Sequence, residues 1–340
     1  MSPKLKNSLR IWKLARDLGI KSTDDPVSSI LKFCDIRIRN FLKDFPGCGT
    51  LSDLLEAIAS KLGTIFETAS NDLELGRIKQ KYLEKGERAF VQLEDYLSED
   101  VFGITFRRCN REFWEPEFVS VIDCRGPKAA RSYYTKWHEI AHLLVLTDQM
   151  RLSFQRTHCL TSEKDPEESV VDVIAGNFGF YASIIRGHIK GEITFEAIEQ
   201  LRNQLCPEAS QQSSLIGFVK AWPDPCLLVR GEMALRKHEQ TKLYQQAFYF
   251  KGIPVPSLRA VHVTANDRAR EMGIGIYENM RIPESSVIHQ VFIKSTGYDE
   301  AEENLGWWET SDGTILPECN VKVKAKCSWD SVDALIIPIK

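Results

Sequence analysis

The chain has 340 residues and a mass of 38.8 kDa, and 43% of it is hydrophobic and 27% charged. That is enough apolar side chain for a buried core over two or three domains, which excludes a disordered chain. Lys and Arg number 44 against 47 Asp and Glu, a net −3 that excludes a generally basic nucleic-acid coat, and no apolar run is long enough for a membrane span.

The opening MSPKLKNSLRIWKLARD lacks an apolar stretch and does not read as a secretory signal. Residues 1–43 sum to +6 and the remaining 297 to −9. Lys4, Lys6, Arg10, Lys13 and Arg16, with Trp12 among them, offer a weak track for single-stranded DNA; a solvated helical face is the plainer reading. The first sixty residues read as helices, with Leu5, Leu9 and Trp12 on one face and Leu51, Leu54, Leu55 and Ile58 on another. TIFETA (64–69) reads as a strand, 72–97 as a charged helix, and FGITFRR (102–108) and FVSVIDC (118–124) as two more strands. Arg125-Gly126-Pro127 then leads into a helix over about 128–146, and Pro166 opens another. Two or three helices follow over 194–220, and 225–238 fits helix or strand. Beyond Pro254 the pattern is strand-rich, at 258–265, 285–294, 320–329 and 333–340, with a short helix at 266–272. The expected organisation is therefore 1–190, a helical connector at 191–250, and a strand-rich domain at 251–340, in an α+β fold. Nine scattered cysteines without a CxxC pair fit thiols in a reducing, cytoplasmic compartment.

The chemistry concentrates in His138-Glu139-Ile140-Ala141-His142. Residues four apart share a helix face, so both imidazoles can reach one ion, and Glu139 on the same turn can act as general base. Tyr133, Tyr134, Trp137 and the run Leu143–Leu146 make this an apolar helix, in which two His and a Glu are costly unless coordinated or paired. A third ligand is needed. Glu167, Glu168 and Asp172 qualify, with Glu168 preferred although it also suits the N3 position of a capping box; His158 is a further candidate. The softness of the nitrogen donors favours Zn²⁺ over Mn²⁺. Arg131, Tyr133 and Tyr134 are candidates to stabilise an oxyanion. Cys109, flanked by Arg107 and Arg108, is read as a possible inhibitory fourth ligand, or else as a structural thiol at a strand end. An extended substrate is expected along a strand edge within 102–124. Trp307 and Trp308, next to Asp299, Glu300, Glu302 and Glu303, are read as anchors of the last domain, with an exposed binding loop as the alternative, and His188, His238, His262 and His289 as structural or exposed.

The run ARSYYTKWHEIAHLLV followed by EESVVDVIAGNF resembles the ImmA/IrrE-type metallopeptidases, which carry Arg-x-x-(Phe/Tyr)-Thr-x-x-His-Glu-x-x-His and then Glu-x-x-Ala-(Asn/Asp). Arg131, Tyr134, Thr135, His138 and His142 match the first part. The family's third zinc ligand maps onto Glu168. Val171 stands where Ala is usual, and Gly-Phe-Tyr-Ala (179–182) replaces a Leu-Leu-Met-Pro-like end. The resemblance covers about 100–185. It implies a zincin-like domain with a small sheet, a helical middle, and a GAF-like last domain. It also implies an endopeptidase that cuts a helix-turn-helix repressor after DNA damage or phage attack, as in peptidases associated with CBASS antiviral defence, with single-stranded DNA as a candidate activator. The alternative is a non-proteolytic ligand or nucleic-acid sensor whose zinc is structural, closed by Cys109.

Overall fold

A computed structural model describes residues 8–21, 24–147, 153–157, 165–236, 239, 255–295, 297–310 and 313–339. Lys4, Lys6, His158, Cys159 and His238 lie outside the described residues. The chain divides into two compact units, one of 1–185 with 200–214 and one of 186–199 with 215–340. The stretch expected as a separate connector at 191–250 is thus shared between them, and the second unit starts well before residue 251. No described helix is long and apolar enough to cross a membrane.

The first unit opens with α1 (Leu9–Asp17), α2 (Pro26–Leu42) and α3 (Leu51–Leu62). α1 buries Ile11, Leu14 and Ala15, whereas Leu9 is 85% exposed. The i, i+3, i+4 spacing of that trio sets the inward face, not the face of Leu9 expected from sequence. α2 starts at a side-chain cap, Asp25 accepting from the Ser28 N–H, with Pro26 at the first helical position. α3 carries a reciprocal capping box between Thr50 and Asp53 and buries Leu51, Leu54, Leu55 and Ile58, the expected face. It stops at Gly63, whose φ of +66° suits a residue without Cβ.

Then come β1 (Thr64–Ala69), α4 (Asp72–Glu84), β2 (Val101–Arg107), β3 (Phe118–Asp123), α5 (Ser132–Leu144), β4 (Ser153–Thr157) and α6 (Pro166–Phe178). The strands form a mixed sheet in the order β1-β3-β2-β4, with β1 parallel to β3 and the other pairs antiparallel. β3 is buried throughout its length and β2 up to its last residue, Arg107, as suits interior strands. Both are therefore unavailable for the edge expected at 102–124; the sheet's edges are β1 and β4. The charged helix expected over 72–97 ends at Glu84, and a 3₁₀ turn and a single α turn follow.

The helices α7 (Phe195–Leu205) and α8 (Gln211–Ala221) precede the second sheet. That sheet is wholly antiparallel, in the order β6-β5-β9-β8-β7, from β5 (Leu227–Ala234), β6 (Ser257–Ala265), β7 (Tyr298–Asn304), β8 (Asn320–Ser328) and β9 (Ser331–Pro338). The ambiguous 225–238 segment thus supplies an interior strand. The strand expected at 285–294 is instead α9 (Val287–Lys294). Its buried residues, Val287, Ile288 and Val291, follow helical spacing, and Ile293, which alternation would bury, is 62% exposed. Trp308 is buried in the core of this unit, but Trp307 is exposed.

Glu303 on β7 is buried at the start of α9. Its Oε1 accepts from the Val287 N–H and the Ser286 hydroxyl, while Oε2 is buried without a partner. Burial raises its pKa above the ordinary carboxylate range, outweighing the two hydrogen bonds that oppose the rise. The folded chain therefore keeps this proton where the unfolded chain has released it. The contribution to stability is present in acid and is lost as pH rises from about 4.3 through the raised folded value. Glu303→Gln is expected to flatten that part of the stability profile, measured by urea unfolding over a pH series; an unaltered slope would refute it.

Candidate metal centre

α5 is an apolar helix packed on β2, β3 and β4. Its approach to β2 depends on Gly103, where a Cβ would sit 2.6 Å from Thr135 Cγ2 and 3.3 Å from Glu139 Oε1. Its C-terminal end is tied by Arg37 on α2, whose Nη1 donates to the Leu144 carbonyl at 2.8 Å. α6 packs along the other side of α5, and the Tyr134 hydroxyl donates to the Asp172 carbonyl at 2.8 Å.

The packing brings an imidazole pair spaced i, i+4 on α5 against a carboxylate pair spaced i, i+4 on α6. His138 Nε2 lies 3.2 Å from Glu168 Oε2, and His142 Nε2 lies 3.3 Å from Glu168 Oε1. The two Nε2 atoms are 3.2 Å apart. His138 Nδ1 faces Asp172 Oδ1 at 2.9 Å. His138, Glu139 and His142 are buried, and Glu168 is partly so. Burial works to lower the pKa of His138, but its bonds to Asp172 and Glu168 outweigh it and the net shift is upward. Burial works to raise Glu168, and the two imidazoles overturn it and hold the carboxyl far below its usual range.

His138, His142 and Glu168 form a group whose donor atoms all lie within 4.8 Å of one another, able to hold a metal ion. Donors at about 2.0 Å from a tetrahedral ion are about 3.3 Å apart, close to the 3.2 Å between the two Nε2 atoms, and each nitrogen faces a different oxygen of Glu168. Both Nε2 atoms and the Glu168 carboxylate point into one space, two neutral nitrogen donors and one anionic oxygen donor. The donor chemistry therefore fits a divalent ion. Asp172, weighed beforehand only as a ligand, instead sets the orientation of His138 through the ring's other nitrogen.

Glu139 projects toward the sheet. Its Oε2 accepts from Thr105 Oγ1 at 2.7 Å, and Oε1 is buried without a partner. The Thr105 proton being spent there, Ser120 Oγ donates to Thr105 Oγ1 at 2.6 Å, and Thr64 Oγ1 donates to Ser120 Oγ at 3.3 Å. Three strands thus line up hydroxyls behind one carboxylate. Burial raises the Glu139 pKa, against the opposing pull of His138, His142 and Thr105. In the sequence the only trace of this relay is a hydroxyl within the apolar β2 and another within β3, Thr105 and Ser120.

Cys109 is not in the metal-binding group. It is exposed in the turn after β2, where its N–H donates to Glu87 Oε2 at 2.8 Å. Four residues of strand and turn, at about 3.3 Å each, separate it from Thr105, which is the position that reaches Glu139. Its neighbours are engaged as well: Arg108 pairs with Glu87 and Glu115, and Arg107 with Glu117. Cys109 is thus not placed among the donors of this group. Arg131 is exposed, its guanidinium 4.7 Å from the Phe102 ring centroid, beside a cleft of about 860 Å³ that also includes Asp123 and Lys128. Tyr133 is buried, with its hydroxyl donating to the Gly179 carbonyl. Tyr133 and Tyr134 thus tie α5 to neighbouring backbone.

The chain matches no protein-family model, and no curated protein matches it.

Asp172→Ala is expected to weaken divalent-metal affinity about 10–100-fold, read by competition with a chromophoric chelator, with Asp172→Asn intermediate. Unchanged affinity in Asp172→Ala would remove the orienting role. Thr105→Val leaves Glu139 without its donor and should cost about 1–3 kcal/mol of stability in chemical denaturation, with Thr105→Ser recovering most of it.

Proposed function

We propose that the chain is a zinc-dependent endopeptidase. The observation that carries this reading is the convergence of two buried imidazoles and one partly buried carboxylate, their donor atoms within 4.8 Å of one another, with a second carboxylate beside them whose Oε1 is unpartnered. Three protein donors leave a position open, as catalytic sites do and closed structural sites do not. His138, His142 and Glu168 would hold the ion, which when bound supplies Lewis acidity for attack on a carbonyl. Glu139 has the chemistry to take the proton of the attacking water and return it to the leaving amine. Its Oε2 is anchored through Thr105, so the carboxylate is held in one orientation while Oε1 stays free for a proton. α5 and β2 exclude bulk water around it.

β4 is an edge strand beside α5, so an extended peptide would add to the sheet there, through main-chain hydrogen bonds. The resemblance to ImmA/IrrE-type peptidases supports a helix-turn-helix repressor as substrate, single-stranded DNA as a possible trigger, and a GAF-like reading of the antiparallel second unit. A structural, sensor-type zinc site closed by Cys109 has less support, because Cys109 lies outside the donor group.

The test is incubation with the repressor encoded beside this protein's gene, with zinc, with and without single-stranded DNA, and with and without chelator. A discrete fragment that chelator abolishes is expected. Glu139→Gln should keep one zinc per chain by elemental analysis and lose cleavage by at least about 100-fold. Full turnover in that variant would refute the assigned base, and a chain that takes up no zinc would refute the centre itself.

A further inference from the structure

The second unit holds a cluster of cations unrelated to the metal centre. Arg259 on β6 is 6% exposed. It is bridged in antiparallel register to Arg281, the bridge being framed by Ile282 N–H to Leu258 O and Ala260 N–H to Met280 O, each 2.9 Å. Residues so paired have Cβ atoms about 4.5–5.5 Å apart, and like charges placed opposite each other are destabilising. Arg236 joins them in lining a cavity of about 410 Å³, together with Ser285, Trp307 and Thr310.

Arg259 spends Nη1 on the Asn279 carbonyl at 2.8 Å, but its Nε is buried with no partner. Among the described residues no carboxylate lies within ion-pair distance of it, although Glu232 is its register partner on β5. The nearby acids are committed or peripheral. Glu284 pairs with Arg281, Glu239 accepts the backbone N–H of Arg236 at 2.8 Å, and Glu309 is exposed on the cavity rim. Burial, with Arg236 and Arg281 adding to it and Glu239 opposing, lowers the pKa of Arg259. A guanidinium with an unused donor, desolvated beside two others, is costly unless an anion completes it.

We propose that this cavity binds a phosphate-bearing ligand of nucleotide size, with its phosphate on Arg259, Arg281 and Arg236 and its base against the Trp307 indole. Guanidinium forks match phosphate oxygens bidentately, and an indole face stacks on a planar ring. Glu309 is placed to accept from sugar hydroxyls. A free nucleotide and the 5′-phosphorylated end of a strand offer the same chemistry.

The experiment is isothermal titration calorimetry of the full chain with adenosine monophosphate, adenosine, and one short oligonucleotide in 5′-phosphorylated and 5′-hydroxyl forms. Adenosine monophosphate is expected to bind at least about tenfold more tightly than adenosine, a difference set by the charge-assisted bonds to phosphate. Tighter binding by the 5′-phosphorylated strand than by its 5′-hydroxyl form would identify a strand end as the ligand and equally supports the site. Arg281→Gln alters an exposed side chain and should weaken the phosphorylated probe about tenfold. Arg259→Met, which keeps the volume and removes the buried charge, should abolish its binding. The proposal falls if neither phosphorylated probe binds at millimolar concentration, if adenosine binds as well as its monophosphate, or if Arg281→Gln leaves affinity unchanged.

Discussion

A charge removed from water must be answered by another charge or by hydrogen bonds, and that constraint organises the first unit. α5 carries His138, Glu139 and His142 into an apolar interior. Each answer comes from a different element: Glu168 and Asp172 from α6, and Thr105, backed by Ser120 and Thr64, from the sheet. Gly103 is what lets the helix come close enough for the sheet to serve. Because the partners are mutual, deleting one does not remove one interaction. It leaves the others buried and unanswered, which is the more expensive condition. The fold of the first unit and the chemistry of its site are in this sense one arrangement.

How much of this can be read from sequence depends on how local each feature is. The imidazole pair was legible because i, i+4 geometry needs only a helix, and α5 announces itself by its apolar flanks. Glu168 was legible in part: Pro166 and Asp165 mark a helix start, but the same position suits a capping carboxylate, and only packing of α6 on α5 decides between the roles. Asp172 lies one turn further along the same face and follows from the same packing. The Thr105 relay joins hydroxyls 15 and 56 residues apart across three strands, and no local pattern encodes that. Cys109 shows the converse case. Its place after a strand and between arginines suggested a poised thiolate, yet direction along β2 carries it away from Glu139 and both arginines are spent on glutamates.

The second unit shows where periodicity misleads. In VIHQVFIK, alternating apolar residues fit a strand as well as they fit a helix, and the deciding facts lie outside the segment: Ser286 caps it, and Glu303, from a strand that comes later in the chain, accepts at its first turn. That later strand, YDEAEEN, escaped notice because β7 is an edge strand whose only buried residue is Glu303 itself. Edge strands hide in this way, since solvent on one side and a free rim remove the apolar alternation that marks their neighbours.

Buried charge also separates structural ion pairs from candidate sites within this unit. Lys324 is fully buried, yet its ammonium donates to the Ile193 carbonyl and pairs with Glu192. Arg230 meets Asp333 through two bonds, at 3.0 and 3.1 Å. Glu303 has no cation, but backbone and hydroxyl donors serve one oxygen and a raised pKa lets a proton serve the other. Each of these groups is answered from within the chain. Arg259 cannot be answered by a proton, because a guanidinium is already in its charged form and does not surrender it in a protein; one of its donors meets the Asn279 carbonyl, and two more arginines share its cavity. In α5, by contrast, the two Nε2 atoms are answered by the Glu168 carboxylate, and the three side chains together make a donor group able to hold a metal ion. Among the described buried charges of the second unit, Arg259 is therefore the one whose compensation within the chain is incomplete.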